Sequence, residues 1–412
     1  MARVLPALLI VFALVAACTA RLRTTRFVPD LAAEKAERAV PRTGLRPPYC
    51  RHWEGYLPHM AHPEYLPMRY LRVNFHVMDK TDSTAHRPAD SVRVFLHRLL
   101  ELANAELDTN IQNWRSPAGT PVLPKRYRYV LTPQPRPGDE GIYFHYDDSL
   151  YYFVSSGKYQ NNYDRTVVRK YGIGGDSILN IFLQVHPRDS FNSPTYRPNG
   201  QGIALGTALK MAGVLELNHG PEAYDGLLNH EVGHILGLGH AWVEDGCPDT
   251  DNHPNQCWTG SPDPPCRDLA TDNLMDYTAY QIALTPCQIG KVHATFANEN
   301  GSVRRCLLPT WCTLNEDRPL VIADSVSWTG ARDLESHLTI APGGVLQVSC
   351  RVSMPPAGRI TVQPGGRLRL DGAHLHNACG QTWAGIFVQE QNGQRGEVQL
   401  LNNPVIENVN NL

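Results

Sequence analysis

The chain has 412 residues, 42% of them hydrophobic, with a formal net charge of −2 at pH 7. Such a length accommodates two domains with cores of their own, and so balanced a charge gives no support to nucleic-acid binding, which needs a dominant basic field. Ten cysteines, most of them after residue 240, point to an oxidising compartment.

Residues 1–18 read as a targeting segment. Arg3 precedes an apolar run from Leu5 to Ala17 that is too short to span a bilayer and suits a signal-peptide core. The run ends Leu14-Val15-Ala16-Ala17-Cys18, which resembles the bacterial lipobox, and that likeness implies lipidation of Cys18 and attachment to a membrane. Ordinary cleavage near Ala17 or Ala20, with no role for Cys18, is the other reading. Residues 19–64 carry Arg21, Arg23, Arg26, Lys35, Arg38, Arg42 and Arg46 against Asp30, Glu34 and Glu37 as far as Pro48. They read as a solvated basic tether near anionic lipid, or as a pro-segment.

The first strand is expected at Leu71–Met78, where Leu71, Val73, Phe75 and Val77 alternate with polar residues and His76 faces outward. A helix follows from an Asp90 cap to about Leu107, its core stripe set by Val92, Leu96, Leu99 and Ala103. Further strands read at 127–132, 142–154 and 177–186, and two short ones within 202–217. The tyrosines Tyr143, Tyr146, Tyr151 and Tyr152 read as half-buried strand packing, with a binding surface as the other reading.

A helix starting near Tyr224 then carries His230-Glu231-Val232-Gly233-His234-Ile235-Leu236-Gly237-Leu238-Gly239-His240. Histidines four apart share a helix face and can reach one ion. Leu228, Val232 and Ile235 give the opposite face to the core. Gly237 suits the positive-φ turn that would end the helix and return His240 as a third ligand. Three neutral imidazoles and an open fourth position describe a catalytic zinc site rather than a closed structural one. Glu231, beside them, is placed to act as general base on water.

Between His240 and Met275 the sequence is irregular and needs staples. The expected pairs are Cys247 with Cys266 and Cys257 with Cys287; Cys306 with Cys312 and Cys350 with Cys379 are the other candidates. Cys50 is left over, and three readings stay open for it: a thiolate that keeps the zinc site latent, a disulfide to Cys306 or Cys312, or a free thiol. Asp245, Asp249 and Asp251 read as a solvated loop, with Ca²⁺ binding as the other expectation.

The histidine stretch, followed by Asn273-Leu274-Met275-Asp276-Tyr277 and Thr285-Pro286-Cys287-Gln288, resembles the metzincin zinc peptidases, and among them the pappalysin-like (cytophagalysin) branch. The resemblance covers roughly residues 65–310. It implies that Met275 forms a floor under the zinc and that Tyr277 approaches the metal or the reacting oxygen. It also implies an α+β domain over 65–312: a twisted, mostly parallel five-stranded sheet, a backing helix, a zinc helix and an irregular C-terminal subdomain. The strand near Ile203–Gly206 would form the upper rim of the cleft, where an extended peptide adds by main-chain hydrogen bonds.

Residues 313–412 change character. Ile340-Ala341-Pro342-Gly343-Gly344-Val345-Leu346-Gln347-Val348 recurs 22 residues later as Val362-Gln363-Pro364-Gly365-Gly366-Arg367-Leu368-Arg369-Leu370. Strand, Pro-Gly-Gly corner and strand at that period read as coils of an all-β solenoid-like module, with a small β-sandwich as the alternative. It resembles β-helical modules of Bacteroidetes envelope and secreted proteins. Further strands are expected at Ile386–Val388 and Val398–Leu401, and the apolar end of the last coil suggests an incomplete or frayed stack. Together these readings describe a zinc-dependent endopeptidase acting on protein or peptide substrates, lipid-anchored in a bacterial envelope or secreted. The alternative is a surface adhesion or scaffold protein with a catalytically idle zinc fold.

Overall fold

The computed structural model describes residues 21–28, 50, 52–85, 88–189, 199–253, 271–278 and 280–410. The signal and lipidation readings at 1–18, most of the expected tether, and Cys257 and Cys266 fall outside them. The protein is a mixed α/β structure with several sheets and few helices. Among the described residues no helix is long and apolar enough to cross a membrane.

After an N-terminal strand, β1 (Arg23–Arg26), the central sheet uses β2 (Arg69–Asp79), β3 (Tyr127–Leu131), β4 (Ile142–Tyr146), β5 (Leu179–Leu183), β6 (Gln201–Ala204) and β7 (Ala208–Ala212). Their order is β3-β2-β5-β7-β6. β3 pairs with Arg69–Val73 of β2 and β4 with Phe75–Asp79, so six strands fill five positions. Only β6 runs antiparallel to its neighbour. The strand expected over 142–154 stops at Tyr146, because the Asp147 carboxylate accepts the Ser149 N–H and hydroxyl and turns the chain.

Helix α1 (Ala89–Asp108) lays Val92, Leu96, Leu99 and Ala103 into one core with Leu71, Val73, Phe75 and Ile181. Each of these side chains larger than alanine contributes about 1.5–3 kcal/mol on burial. Its N-cap is Pro88 rather than the expected Asp90, which sits in the first turn. The sheet's other face is also covered, by Met78, Phe182 and Ala208 packing with Val167 of α2 (Thr166–Tyr171). This corrects the outward reading of His76. The alternation holds, but the second face meets protein instead of water. His76 is fully buried, stacked on Phe182 at 4.5 Å, with its Nε2 2.8 Å from Asn180 Oδ1. Burial pushes its pKa down to about 3.

Helix α3 (Asp225–Ile235) carries the histidine stretch. Beyond it, α4 (Pro286–Ala297) starts at a reciprocal Thr285–Gln288 capping box, and a short α5 (Ser302–Arg305) follows. A second core then forms from β8 (Leu320–Ile322), β9 (Ser325–Trp328), β10 (Arg332–Asp333), β11 (Leu338–Ile340), β12 (Val345–Val348), β13 (Arg351–Ser353), β14 (Arg359–Val362), β15 (Arg367–Asp371), β16 (His374–His376), β17 (Gly385–Gln391), β18 (Gln394–Arg395), β19 (Glu397–Leu401) and β20 (Val405–Ile406). The strands make three sheets, β17-β14-β11-β8, β19-β15-β12-β9 and β20-β16-β13-β10, all parallel from one turn of chain to the next. Leu338 pairs with Ile360 and Val345 with Arg367, both at the 22-residue offset of the repeat. The Pro-Gly-Gly corners explain themselves: Gly343 and Gly365 have φ of +80°. A Cβ on Gly366 would come 2.7 Å from the carbonyl oxygen of Ile340 in the turn below.

β1 adds antiparallel to the edge of β17, Arg23 opposite Glu390 and Arg26 opposite Phe387. Nearer the sheet, Gly55 packs against Gly330 and Trp53 against Gly290. The described parts of the expected tether 19–64 are therefore docked, β1 on the edge of β17 and residues 53–55 against α4 and Gly330.

Those contacts also correct the disulfides. Cys247 joins Cys287, Cys50 joins Cys350 and Cys312 joins Cys379. The expected pairs Cys247–Cys266, Cys257–Cys287, Cys306–Cys312 and Cys350–Cys379 do not form. The second core packs on the first, so its cysteines meet partners distant in sequence. Cys50, joined to Cys350, is no latency thiolate, and Cys306 is a buried thiol whose pKa burial pushes up to about 11.

Between the two cores lies a buried carboxylate. Asp333 of β10 accepts bonds from both Nη atoms of Arg304 (2.6 and 3.0 Å) and from Arg351. Arg69 of β2 donates to the Asp333 carbonyl and to Glu335, each at 2.9 Å. Burial alone would raise the Asp333 pKa, but Arg351 and Arg304 overcome it and hold the carboxyl well below the usual range. Asp333→Ala should cost about 3–5 kcal/mol, the usual result of stranding buried cations. The native carboxylate's contribution is complete above its unfolded pKa of about 4 and declines as pH falls below it. Chemical denaturation at pH 7 and pH 3 should therefore show a smaller gap between Asp333→Asn and the parent at pH 3.

Candidate metal centre

Helix α3 ends where the glycine turn was expected. Leu236 is its C-cap, Gly237 has φ of +92°, and the Leu238 N–H closes back on the Gly233 carbonyl at 3.0 Å. The turn returns His240 to the helix face that carries His230 and His234.

Two backbone carbonyls set the imidazole tautomers. His230 Nδ1 lies 2.8 Å from the Leu274 oxygen, and His234 Nδ1 lies 2.9 Å from the Leu238 oxygen. A carbonyl can only accept, so both Nδ1 atoms carry the proton and both Nε2 atoms present lone pairs. Those Nε2 atoms are 3.2 Å apart, and His240 Nε2 is 3.0 Å from His234 Nε2. Lone pairs gathered this closely repel one another unless a cation lies between them. Tetrahedral nitrogen ligands at about 2.0–2.1 Å from zinc would stand about 3.3 Å apart, so the donor set fits that ion within a few tenths of an ångström. Burial lowers all three pKa values, to about 3 for His230 and about 4 for His240, keeping the rings in the neutral form that ligates.

Glu231 is buried beside them, and desolvation pushes its carboxyl up to about 8. Its side chain lies on Gly202 of β6: a Cβ there would come 2.6 Å from Glu231 Cδ. The Met275 turn closes the other side. Met275 is fully buried and lies so close to Gly233 that a Cβ there would run into its sulfur. The Ala241 N–H donates to the Met275 carbonyl at 2.9 Å, tying the residue after the third histidine to the turn. Tyr277 is partly exposed, its ring 5.1 Å from His240 and 5.8 Å from His230.

The six residues His230, Glu231, His234, His240, Met275 and Tyr277 thus come together. Sequence reasoning missed four others around them. Gly202 gives room to Glu231. Leu274 supplies a carbonyl. Gln281 stands beside His230 and donates its amide N–H to the Asp276 carbonyl at 2.8 Å. Trp242 stacks on His240 at 3.8 Å and touches Tyr277. Of these only Trp242, an aromatic two residues past a ligand, leaves a readable signal. The calcium expectation finds no support. Asp245 accepts from Cys247 and Thr250, Asp249 from Cys287, and Asp251 pairs with Arg115, so the carboxylates are engaged separately.

No family model and no curated protein matches the chain. Among solved structures it aligns with Tannerella forsythia mature mirolysin in complex with a cleaved peptide, at 17% identity and TM-score 0.36, over 58% of this chain and 95% of that one. Mirolysin in complex with compound 9 aligns at 16% identity and TM-score 0.36, over 58% and 96%. A T. forsythia promirolysin mutant aligns at the same identity and score, over 58% and 84%. Likeness of this extent carries no functional weight, and the side chains carry it instead.

A buried carboxyl with a raised pKa destabilises the fold once it must ionise. In the chelated, metal-free protein, stability should fall as pH rises from the unfolded carboxylate value of about 4.3 to about 8. Glu231→Gln should remove that slope, melting near the parent at pH 5 and above it at pH 8. Calorimetry on metal-free samples at both pH values checks this.

Proposed function

We propose that this chain is a zinc-dependent endopeptidase of the metzincin type. The observation that carries the reading is the convergence of the Nε2 atoms of His230, His234 and His240 beside the buried carboxyl of Glu231. Zinc held by His230, His234 and His240 would supply Lewis acidity, which acidifies water from a pKa of about 16 towards about 7 and polarises a carbonyl. The Glu231 carboxylate takes the proton from the attacking water and returns it to the departing amine nitrogen. Tyr277, over two of the histidines, offers its hydroxyl to the oxyanion. The substrate lies along β6, the end strand of its sheet among the described residues, where an extended peptide adds by main-chain hydrogen bonds. We place the protein in a bacterial envelope, anchored through Cys18, or secreted; three disulfides among the described residues support an oxidising compartment.

Digestion of a quenched-fluorescent peptide library tests the reading. The parent should cleave, and a chelator should abolish cleavage. His240→Ala should lose the bound zinc. Glu231→Ala should keep it and lose about 10²–10⁴-fold in turnover, the range expected for general acid–base catalysis. Full activity in Glu231→Ala would end the proposal.

Gly202→Ala provides a separate check, because the three atoms its methyl would meet first all belong to the Glu231 side chain. It should retain zinc and fold normally, yet lose most of kcat. Unchanged kcat in Gly202→Ala, with zinc bound, would show that this contact does not position the base.

A further inference from the structure

A second set of metal donors stands on the C-terminal module, remote in sequence from the first. Strand β16 reads His374-Leu375-His376, so its histidines project to one face while Leu375 enters the core. The next turn of chain aligns β20 beside it, His374 opposite Val405 and Leu375 opposite Ile406, which brings Glu407 opposite His376. The Glu407 backbone is held from both sides: its N–H donates to the Leu375 carbonyl at 3.0 Å, and its carbonyl accepts from Trp383 Nε1 at 2.8 Å. The Glu407 carboxylate lies 2.7 Å from His374 Nε2, and the two imidazoles stack at 4.6 Å. One ring nitrogen from each histidine and one oxygen of Glu407 fall within 4.8 Å of one another.

Two details separate this cluster from a plain surface ion pair. His376 is buried, and Glu299 Oε1 lies 3.3 Å from its Nε2, so a second carboxylate stands behind this imidazole. His374 and Glu407, in contrast, are open to solvent, so an ion has a way in. Arg351 lies 3.4 Å from Glu299 and pairs with Asp333, so its charge is met by carboxylates on two sides.

We propose that His374, His376 and Glu407 form a second site for a divalent transition-metal ion, zinc or a neighbour of similar preference. Two imidazoles and a carboxylate select that class over calcium or magnesium, which favour all-oxygen sets. The site joins the last two turns of the module, β16 to β20, and acts as a staple at the end of the stack. Its partly exposed, three-ligand set leaves the remaining positions to water and makes it weaker than the histidine triad on α3. It does not depend on peptidase activity.

Untagged full-length protein, stripped with a chelator and kept non-reducing so that its disulfides persist, is dialysed against Zn²⁺ and its metal counted by mass spectrometry. The parent should hold two ions per chain, His374→Ala one, Glu407→Gln one, and His240→Ala one. Combining His374→Ala with His240→Ala should leave none. Both His374 and Glu407 are surface residues, and circular dichroism verifies that their variants fold. In the parent, and in His240→Ala, added zinc should raise the melting temperature; that rise should vanish in the double variant. One ion in the parent that is kept in His374→Ala and lost in His240→Ala, or two in both His374→Ala and Glu407→Gln, overturns the second site. Two ions in His240→Ala would instead overturn the triad, so the two proposals fail separately.

Discussion

Space, more than charge, governs the candidate site. Helix α3 is seated between the Met275 turn and strand β6, and on both sides the fit leaves room for hydrogen alone, at Gly233 against Met275 and at Gly202 against Glu231. A close-packed interior cannot absorb an added methyl without moving something. The helix is therefore located by contacts from two directions, and its donors inherit that location. The turns that seat it also orient the ligands: Leu274 belongs to the methionine turn and Leu238 to the glycine turn, and their carbonyls fix the protons of His230 and His234.

The second core is built onto the first by several unrelated devices. Asp333 gathers guanidinium groups from both, Cys50–Cys350 and Cys312–Cys379 cross covalently, and Gly55 meets Gly330 backbone to backbone. A buried ion cluster of this kind is weak evidence of net stability, since desolvation offsets much of the attraction. It does discriminate between arrangements, because any slip at the seam strands a charge.

How far the molecule was legible depended on the range of the interaction involved. The triad could be read because histidines four apart, a terminating glycine and a third histidine are consequences of helix geometry within eleven residues. The 22-residue repeat was legible for a similar reason: each Pro-Gly-Gly corner answers to the turn directly beneath it. His76 shows where local pattern stops. Alternation told which face of β2 it occupied, but not that Phe182 and the segments around α2 would cover that face. The disulfides were illegible because nearness along the chain is a poor guide when a second core packs on the first. Gly202 gave no sign at all. A glycine in a strand usually reads as a weak point, and its purpose lies in a side chain that a later helix brings to it.

The docking of the early segment has a consequence in time. Thr25 meets Val388 across 363 positions, and Cys50 meets Cys350 across 300, whereas the sheet and helix that hold the triad are complete by about residue 300. At ordinary synthesis rates the interval between making Thr25 and making Val388 is roughly 20–70 s. During that interval the central sheet can close, and cysteines 247 to 312 emerge, while the native partner of Cys50 does not yet exist. The segment around Thr25 is thus made early and placed late, and a newborn molecule can possess its metal-binding helix well before it possesses its seam.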